Sequence, residues 1–189
     1  MSPVASGGLF LLQFFAGLVT FVLLLRFLMR ATRVDWRHPI VGFVAKVTNP
    51  ICRPFGMLFK HIGQWDWTAL SAAFVVEVLF VGLIGFLTGR DFGLMTILLV
   101  SFTEIANQLL DLVFWLIVIQ AVLSWVSPGY NPNTVLFNQM VAPILRPFQK
   151  IIPPISGIDL SPLAVLVAIQ LTQIVLLRPI VGIAQGLVG

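Results

Sequence analysis

The side chains of this sequence that could do chemistry are few, and several stand in apolar surroundings. Glu77 is the lone charge in the apolar run from Ala69 to Leu87. An ionised carboxylate there is costly in hydrocarbon, so it must face a partner or a wet cavity, or stay protonated. Glu104, Asn107, Gln108 and Asp111 recur at spacings of three and four and share one helical face. Such a face is either a solvated helix entrance or a cation site. Gln170 and Gln173 add a smaller polar stripe. Two proline-rich corners each carry an arginine followed thirteen residues later by an aspartate, Arg53 with Asp66 and Arg146 with Asp159. Each arginine is either a base snorkelling to anionic headgroups or one half of an ion pair that pins its corner to the next apolar run. Asp159 and Ser161 ahead of Pro162 read as a helix start, with oxygen acceptors at the cap and proline in the first turn.

The missing constellations narrow the chemistry further. Cys52 is the single cysteine, which excludes an internal disulfide or a CxxC redox pair. His38 and His61 are too few and too far apart to make a metal site alone. There is no HExxH, GxSxG or glycine-rich phosphate loop. The expectation is therefore a non-enzymatic protein with no cofactor and no metal.

The elements that must position these side chains follow from composition. At 59% hydrophobic and 10% charged, with a mean hydropathy of +1.04, the chain is too apolar for a soluble domain, where about 25% of residues are charged. It reads as an all-α integral membrane protein. At about 1.5 Å per residue, a hydrocarbon core of roughly 30 Å needs about 20 residues. Gly7 to Leu25, Ala69 to Leu87, Leu109 to Val126 and Leu160 to Leu177 give four such spans. The bases Arg26, Arg30 and Arg33 follow the first span instead of preceding it, so it reads as an uncleaved anchor and not a signal peptide. Phe92 to Phe102 is apolar but too short to cross alone; it lies along the interface, re-enters, or lengthens the third helix toward its start.

Seven of the eleven bases fall between the first two spans: Arg26, Arg30, Arg33, Arg37, Lys46, Arg53 and Lys60. Arg146 and Lys150 lie between the third and fourth. Basic loops stay cytoplasmic, so both long loops are expected inside and both termini outside. A net charge of +4 on so apolar a chain is a topology signal, and no nucleic-acid partner is expected.

The two long loops resemble each other. Pro50-Ile51-Cys52-Arg53-Pro54-Phe55 is answered by Pro143-Ile144-Leu145-Arg146-Pro147-Phe148, ninety-three positions on. The same shift carries Pro39 to Pro132, Asp66 to Asp159 and Phe21 to Phe114 without a gap. This reads as a duplicated unit of span, amphipathic loop and span, with both copies in the same orientation. The expected organisation is a first repeat over residues 1–91, an apolar inter-repeat segment at 92–108 and a second repeat over 109–189. Paired prolines should interrupt each loop helix, because each ring removes an N–H and displaces the preceding residue from the α region. After each break, short amphipathic pieces with Phe55, Met57, Leu58, Phe59 and Ile62, or with Phe148, Ile151 and Ile152, suit the headgroup boundary. Gln170 takes the place of Glu77 in the second copy and is expected to bond to it across the pseudo-axis. Gly182-x-x-x-Gly186 has the spacing of a small-residue helix contact.

The two Pro-x-x-Arg-Pro-Phe motifs, the Ser124-Trp125-Val126 stretch and Gly157-Ile158-Asp159-Leu160-Ser161-Pro162 together resemble the YggT (YlmG-like) family. The resemblance covers nearly the whole chain, one family domain in each half. In the first half, Gly63-Gln64-Trp65-Asp66-Trp67-Thr68 keeps only the aspartate of that second corner. The resemblance implies a small bacterial inner-membrane or plastid protein. It also implies roles in osmotic-stress tolerance, cell division or the assembly of membrane complexes, and no enzymatic activity. Two functions stand side by side. One is a non-catalytic membrane factor that binds lipids, including anionic headgroups, and other membrane proteins. The alternative is a small homo-oligomeric ion channel or transporter with Glu77 and the Glu104 to Asp111 face along its pathway.

Overall fold

A computed structural model describes residues 3–57, 65–90, 92–126, 131–152, 159–180 and 182. The amphipathic stretch expected at Leu58 to Ile62, with Lys60 and His61, lies outside these residues, as do Gly157, Ile158 and Gly186.

The regular elements are helices: α1 (Pro3–Ala31), α2 (Pro39–Gly56), α3 (Trp67–Thr88), α4 (Leu94–Val126), α5 (Pro132–Ile151) and α6 (Ser161–Thr172), which widens into a π-turn over Gln173–Leu177. Local chemistry sets several of these boundaries. His38 accepts from the Ile40 N–H at 3.3 Å ahead of Pro39, and Asn131 accepts from the Asn133 N–H at 2.9 Å ahead of Pro132. A polar cap followed by proline at the first helical position starts both α2 and α5. Asp66 caps α3 through the Ala69 N–H, and α3 stops at Gly89, whose φ of 67° lies in the left-handed region that glycine enters without strain.

Among the described residues, four stretches are long and apolar enough to cross a membrane: Ser6–Ala31, Trp67–Thr88, Leu94–Ser124 and Ser161–Ile180. The short apolar stretch from Phe92 to Phe102 is not a separate interfacial or re-entrant piece. From Leu94 onward it is the first part of α4, a helix of 33 residues, so Glu104 sits well inside the helix and not at its solvated entrance.

The expected breaks at the paired prolines do not occur. α2 runs through Pro50 and Pro54, and α5 through Pro143 and Pro147. All four prolines are exposed, so the carbonyls they leave unbonded face outward, where polar surroundings can meet them. On the opposite side Val41, Val44, Thr48 and Cys52 of α2 stay buried at helical spacing, as do Leu136, Met140, Val141 and Leu145 of α5. Continuous packing of the buried face carries each helix across its prolines.

α1 packs on α3, with α2 laid against both. α4 touches α1, α3, α5 and α6, and α5 lies on α6. The core joins Leu23, Leu24 and Met29 of α1 with Ala69, Ala72 and Ala73 of α3, Leu112, Leu116 and Ile117 of α4, and Met140 and Ile169 further on. The three alanines, fully buried, let α1 approach α3 closely. Outward, Phe10, Phe15, Leu79, Phe86, Trp115, Leu163 and Leu171 are exposed, leaving the long helices apolar on both faces.

Candidate functional site

Two polar assemblies lie in this apolar framework. The first joins the end of α1, the middle of α2 and the head of α3. Arg26, only 8% exposed, donates from Nε to Asp66 Oδ2 at 3.0 Å, and from Nη1 to Thr48 Oγ1 at 2.9 Å and Asn49 Oδ1 at 2.7 Å. Arg30 Nη1 adds a second charge 3.5 Å from Asp66 Oδ2, and the Arg30 guanidinium stands 5.9 Å from the Trp36 ring centre. The other Asp66 oxygen accepts from the Thr68 hydroxyl and, at 3.3 Å, from the Ala69 N–H. Burial opposes the Asp66 charge, but the Thr68 hydroxyl and the Arg26 guanidinium outweigh it and hold the carboxyl below its usual range. Cys52 lies beside this pair, buried, and its thiol is pushed up chiefly by burial, with Arg26 acting in the other direction.

This corner is where the structure departs from the pairing considered for Asp66. Asp66 bonds to Arg26 and Arg30, whereas Arg53, thirteen residues before it, is exposed on α2 and forms no ion pair with it. Arg146 is likewise exposed on α5 and does not reach Asp159. Asp159 accepts from the Ser161 backbone N–H at 2.8 Å and from Gln149 Nε2 at 2.8 Å, and these bonds, the backbone one first, lower its carboxyl. Ser161 opens α6 fully buried, with Pro162 in the first turn as expected, but the cap position is Leu160 and no side chain caps the helix, so the expected oxygen acceptor at the cap is absent. The two corners differ because Arg26, Thr48 and Asn49 have Ile119, Val141 and Ala142 at the positions ninety-three residues on. Arg26 counted only as a loop base in the sequence, since its partner lies forty residues away and leaves no local signal.

The second assembly is a cavity of about 620 Å³ between α1, α3 and α4. Its polar lining is Gln13, Glu77, Glu104 and Gln108; its apolar lining includes Phe14, Leu18, Phe21, Phe80 and Ile84. Glu77 is 4% exposed, and its Oε2 has no hydrogen-bond partner among the described residues. Thr20, Gln108 and Glu104 lie close enough to interact with its carboxyl group. Asp111 continues the polar face of α4 one turn on and accepts from Gln173 Nε2 at 2.7 Å, at the start of the π-turn. Gln170 is exposed on α6 and does not bond to Glu77, so the expected link across the pseudo-axis is absent. Among the described residues, no group of three or more histidine, cysteine or acidic side chains could hold a metal ion.

Four membrane-length apolar helices interleaved with two shorter helices that carry Arg-Pro corners define a compact helical class compatible with residence in a bilayer. Within that class the affiliation is specific: the sequence model of the CCB3/YggT family matches residues 5–87 and again 99–180, and the chain belongs to this family. It is 30% identical over 181 residues to the uncharacterized protein PA0392 of Pseudomonas aeruginosa, covering 94% of this chain and 92% of that one. It is 33% identical over 154 residues to the uncharacterized protein YggT of Escherichia coli strain K12, covering 82% and 80%. To an uncharacterized protein of the proC 3′ region in Vibrio alginolyticus it is 31% identical over 175 residues, covering 92% and 94%. No solved structure matches.

Proposed function

We propose that this chain is a multi-pass protein of the bacterial inner membrane, with its basic loops in the cytoplasm and a non-catalytic role in holding membrane assemblies together. Its halves act as two parallel repeats, in which α2 and α5 lie along the headgroup boundary as amphipathic helices. The observation that supports this reading is the state of Arg53 and Arg146. Both are exposed, both stand between exposed prolines, and neither is consumed by the neighbouring aspartate. Two matched cationic corners are thereby free for anionic headgroups, where each base contributes about 1 kcal/mol, and for a partner membrane protein. Division, osmotic tolerance and complex assembly are the settings in which such a factor would act, and a homo-oligomer is compatible with it.

The test is co-purification from native membranes with Arg53→Ala, Arg146→Ala and the double variant. Loss of a specific partner at unchanged membrane levels supports the reading; retention of every partner by the double variant sinks it. Transport is the second reading, favoured by the burial of Glu77 at mid-helix in a mainly apolar cavity that it shares with Gln13, Glu104 and Gln108. It predicts that Glu77→Gln changes ion flux into proteoliposomes.

A further inference from the structure

The cavity between α1, α3 and α4 is built for more than burying an acid. Its volume, about 620 Å³, falls in the range of small-molecule sites and far exceeds what a bare inorganic ion fills. Two carboxylic acids, Glu77 and Glu104, stand in its lining, and among the described residues no lysine or arginine does. The protein therefore places two acidic groups there with no basic side chain of the described residues beside them, although elsewhere it satisfies a buried aspartate with two arginines. Glu77 lines this space at 4% exposure, its Oε2 has no hydrogen-bond partner among the described residues, and Thr20 and Gln108 stand beside its carboxyl group. A buried polar atom left unbonded is costly, and a ligand that brings positive charge or a donor removes that cost. The rest of the lining is aromatic and aliphatic: Phe14, Leu18 and Phe21 of α1 face Phe80 and Ile84 of α3. Aromatic faces attract organic cations, and hydrocarbon fills the remaining volume.

We propose that this cavity binds a lipophilic organic monocation, with its charged centre between Glu77 and Glu104 and its hydrocarbon against Phe14, Leu18 and Phe21. Such a ligand enters sideways from the apolar surroundings, since Phe14, Leu18 and Phe21 are themselves exposed. Gly17 completes the entrance: it lines the cavity, and a Cβ built on it meets nothing within 4 Å. A larger side chain at Gly17 would narrow that entrance without disturbing the helix contacts. The site depends on neither reading of the function above, because binding requires neither a protein partner nor flux.

Equilibrium binding of radiolabelled tetraphenylphosphonium to the purified full-length protein in detergent tests the proposal, with tetraphenylborate as the anion of matched shape. Saturable binding of the cation alone is expected, weakened about tenfold or more in Glu77→Gln and in Glu104→Gln. Because Glu77 is buried and its variant can lose the fold, Glu104→Gln and Gly17→Leu carry the same test. Gly17→Leu keeps both acids and should weaken binding by narrowing the entrance. Equal binding of cation and anion would mean partition into an apolar surface only, and overturns the proposal. So does unchanged cation binding in the folded Gly17→Leu and Glu104→Gln variants. Displacement of the probe by sodium or potassium ions as effectively as by unlabelled tetraphenylphosphonium would mark an inorganic cation site and overturn it as well.

Discussion

Arg26 and Asp66, forty residues apart in sequence, form a 3.0 Å ion pair that is closed from solvent on both sides. Neither charge leaves water without compensation: the arginine also bonds to Thr48 and Asn49, the aspartate to Thr68 and Ala69. Through these bonds one guanidinium ties the end of α1 to α2 and to the start of α3.

Asp66→Asn should destabilise the fold by about 3–5 kcal/mol, because it strands a buried arginine, whereas replacing both partners together should cost less. Asp159→Asn keeps an acceptor for the Ser161 N–H and removes only an exposed charge, so it should cost a small part of that. Thermal unfolding in detergent, followed by tryptophan fluorescence, ranks the two; equal losses would mean that the Arg26 pair contributes no more than an exposed carboxylate does.

The same pair sets an acid limit. Because the Asp66 carboxyl is held below its usual range when folded, its contribution is complete above the unfolded value of about 3.9 and is lost as pH falls through the folded one. The stability difference between wild type and Asp66→Asn should therefore stay constant from about pH 7 to about pH 5, then shrink below about pH 4. A difference that grows on acidification contradicts the assignment.

Proline inside a helix costs about 3 kcal/mol relative to alanine, and Pro50 and Pro54 both sit exposed within α2. Pro50→Ala with Pro54→Ala should raise thermal stability, by on the order of 1–3 kcal/mol, and leave helix content by circular dichroism unchanged or higher. A loss of stability would mean that the rings themselves pack against something the fold requires.

Gly85 is the tight point of the turn from α3 to α4. A Cβ built there would lie 2.5 Å from Phe92 Cδ2 and 3.2 Å from the Arg90 carbonyl oxygen. Gly85→Ala should cost about 1–3 kcal/mol by displacing Phe92 and the backbone behind it. Gly82→Ala, one turn away with only Ile97 Cδ1 at 4.0 Å, should cost less, and the two unfolding midpoints compare them directly.

The apolar runs of the sequence foretold four long helices, because an apolar stretch of that length with at most one charge has few other stable forms. The start of α6 was legible through Pro162, which acts locally in the first turn, although no side chain caps that helix. The continuity of α2 was not: the proline rule is local, and it yields here to the buried face of Val41, Val44, Thr48 and Cys52. The polar face from Glu104 to Asp111 was readable from spacing alone. Its meeting with Glu77 follows from the sequence only under the channel alternative, because the sequence leaves open whether the third helix starts near Leu109 or already near Phe92. The Arg26 pair was the least legible, since an arginine closing an apolar run looks the same whether it faces water or an aspartate forty residues away. The one trace was the replacement of Arg26 by Ile119 at the matched position.

The 33 residues of α4 measure about 50 Å end to end, against a hydrocarbon slab of roughly 30 Å. A rod that long in a bilayer must lean or protrude, and its lean follows the thickness of the slab. Since α1, α3, α5 and α6 all rest on this one rod, in the bilayer proposed above thinning or thickening would tip them as a set.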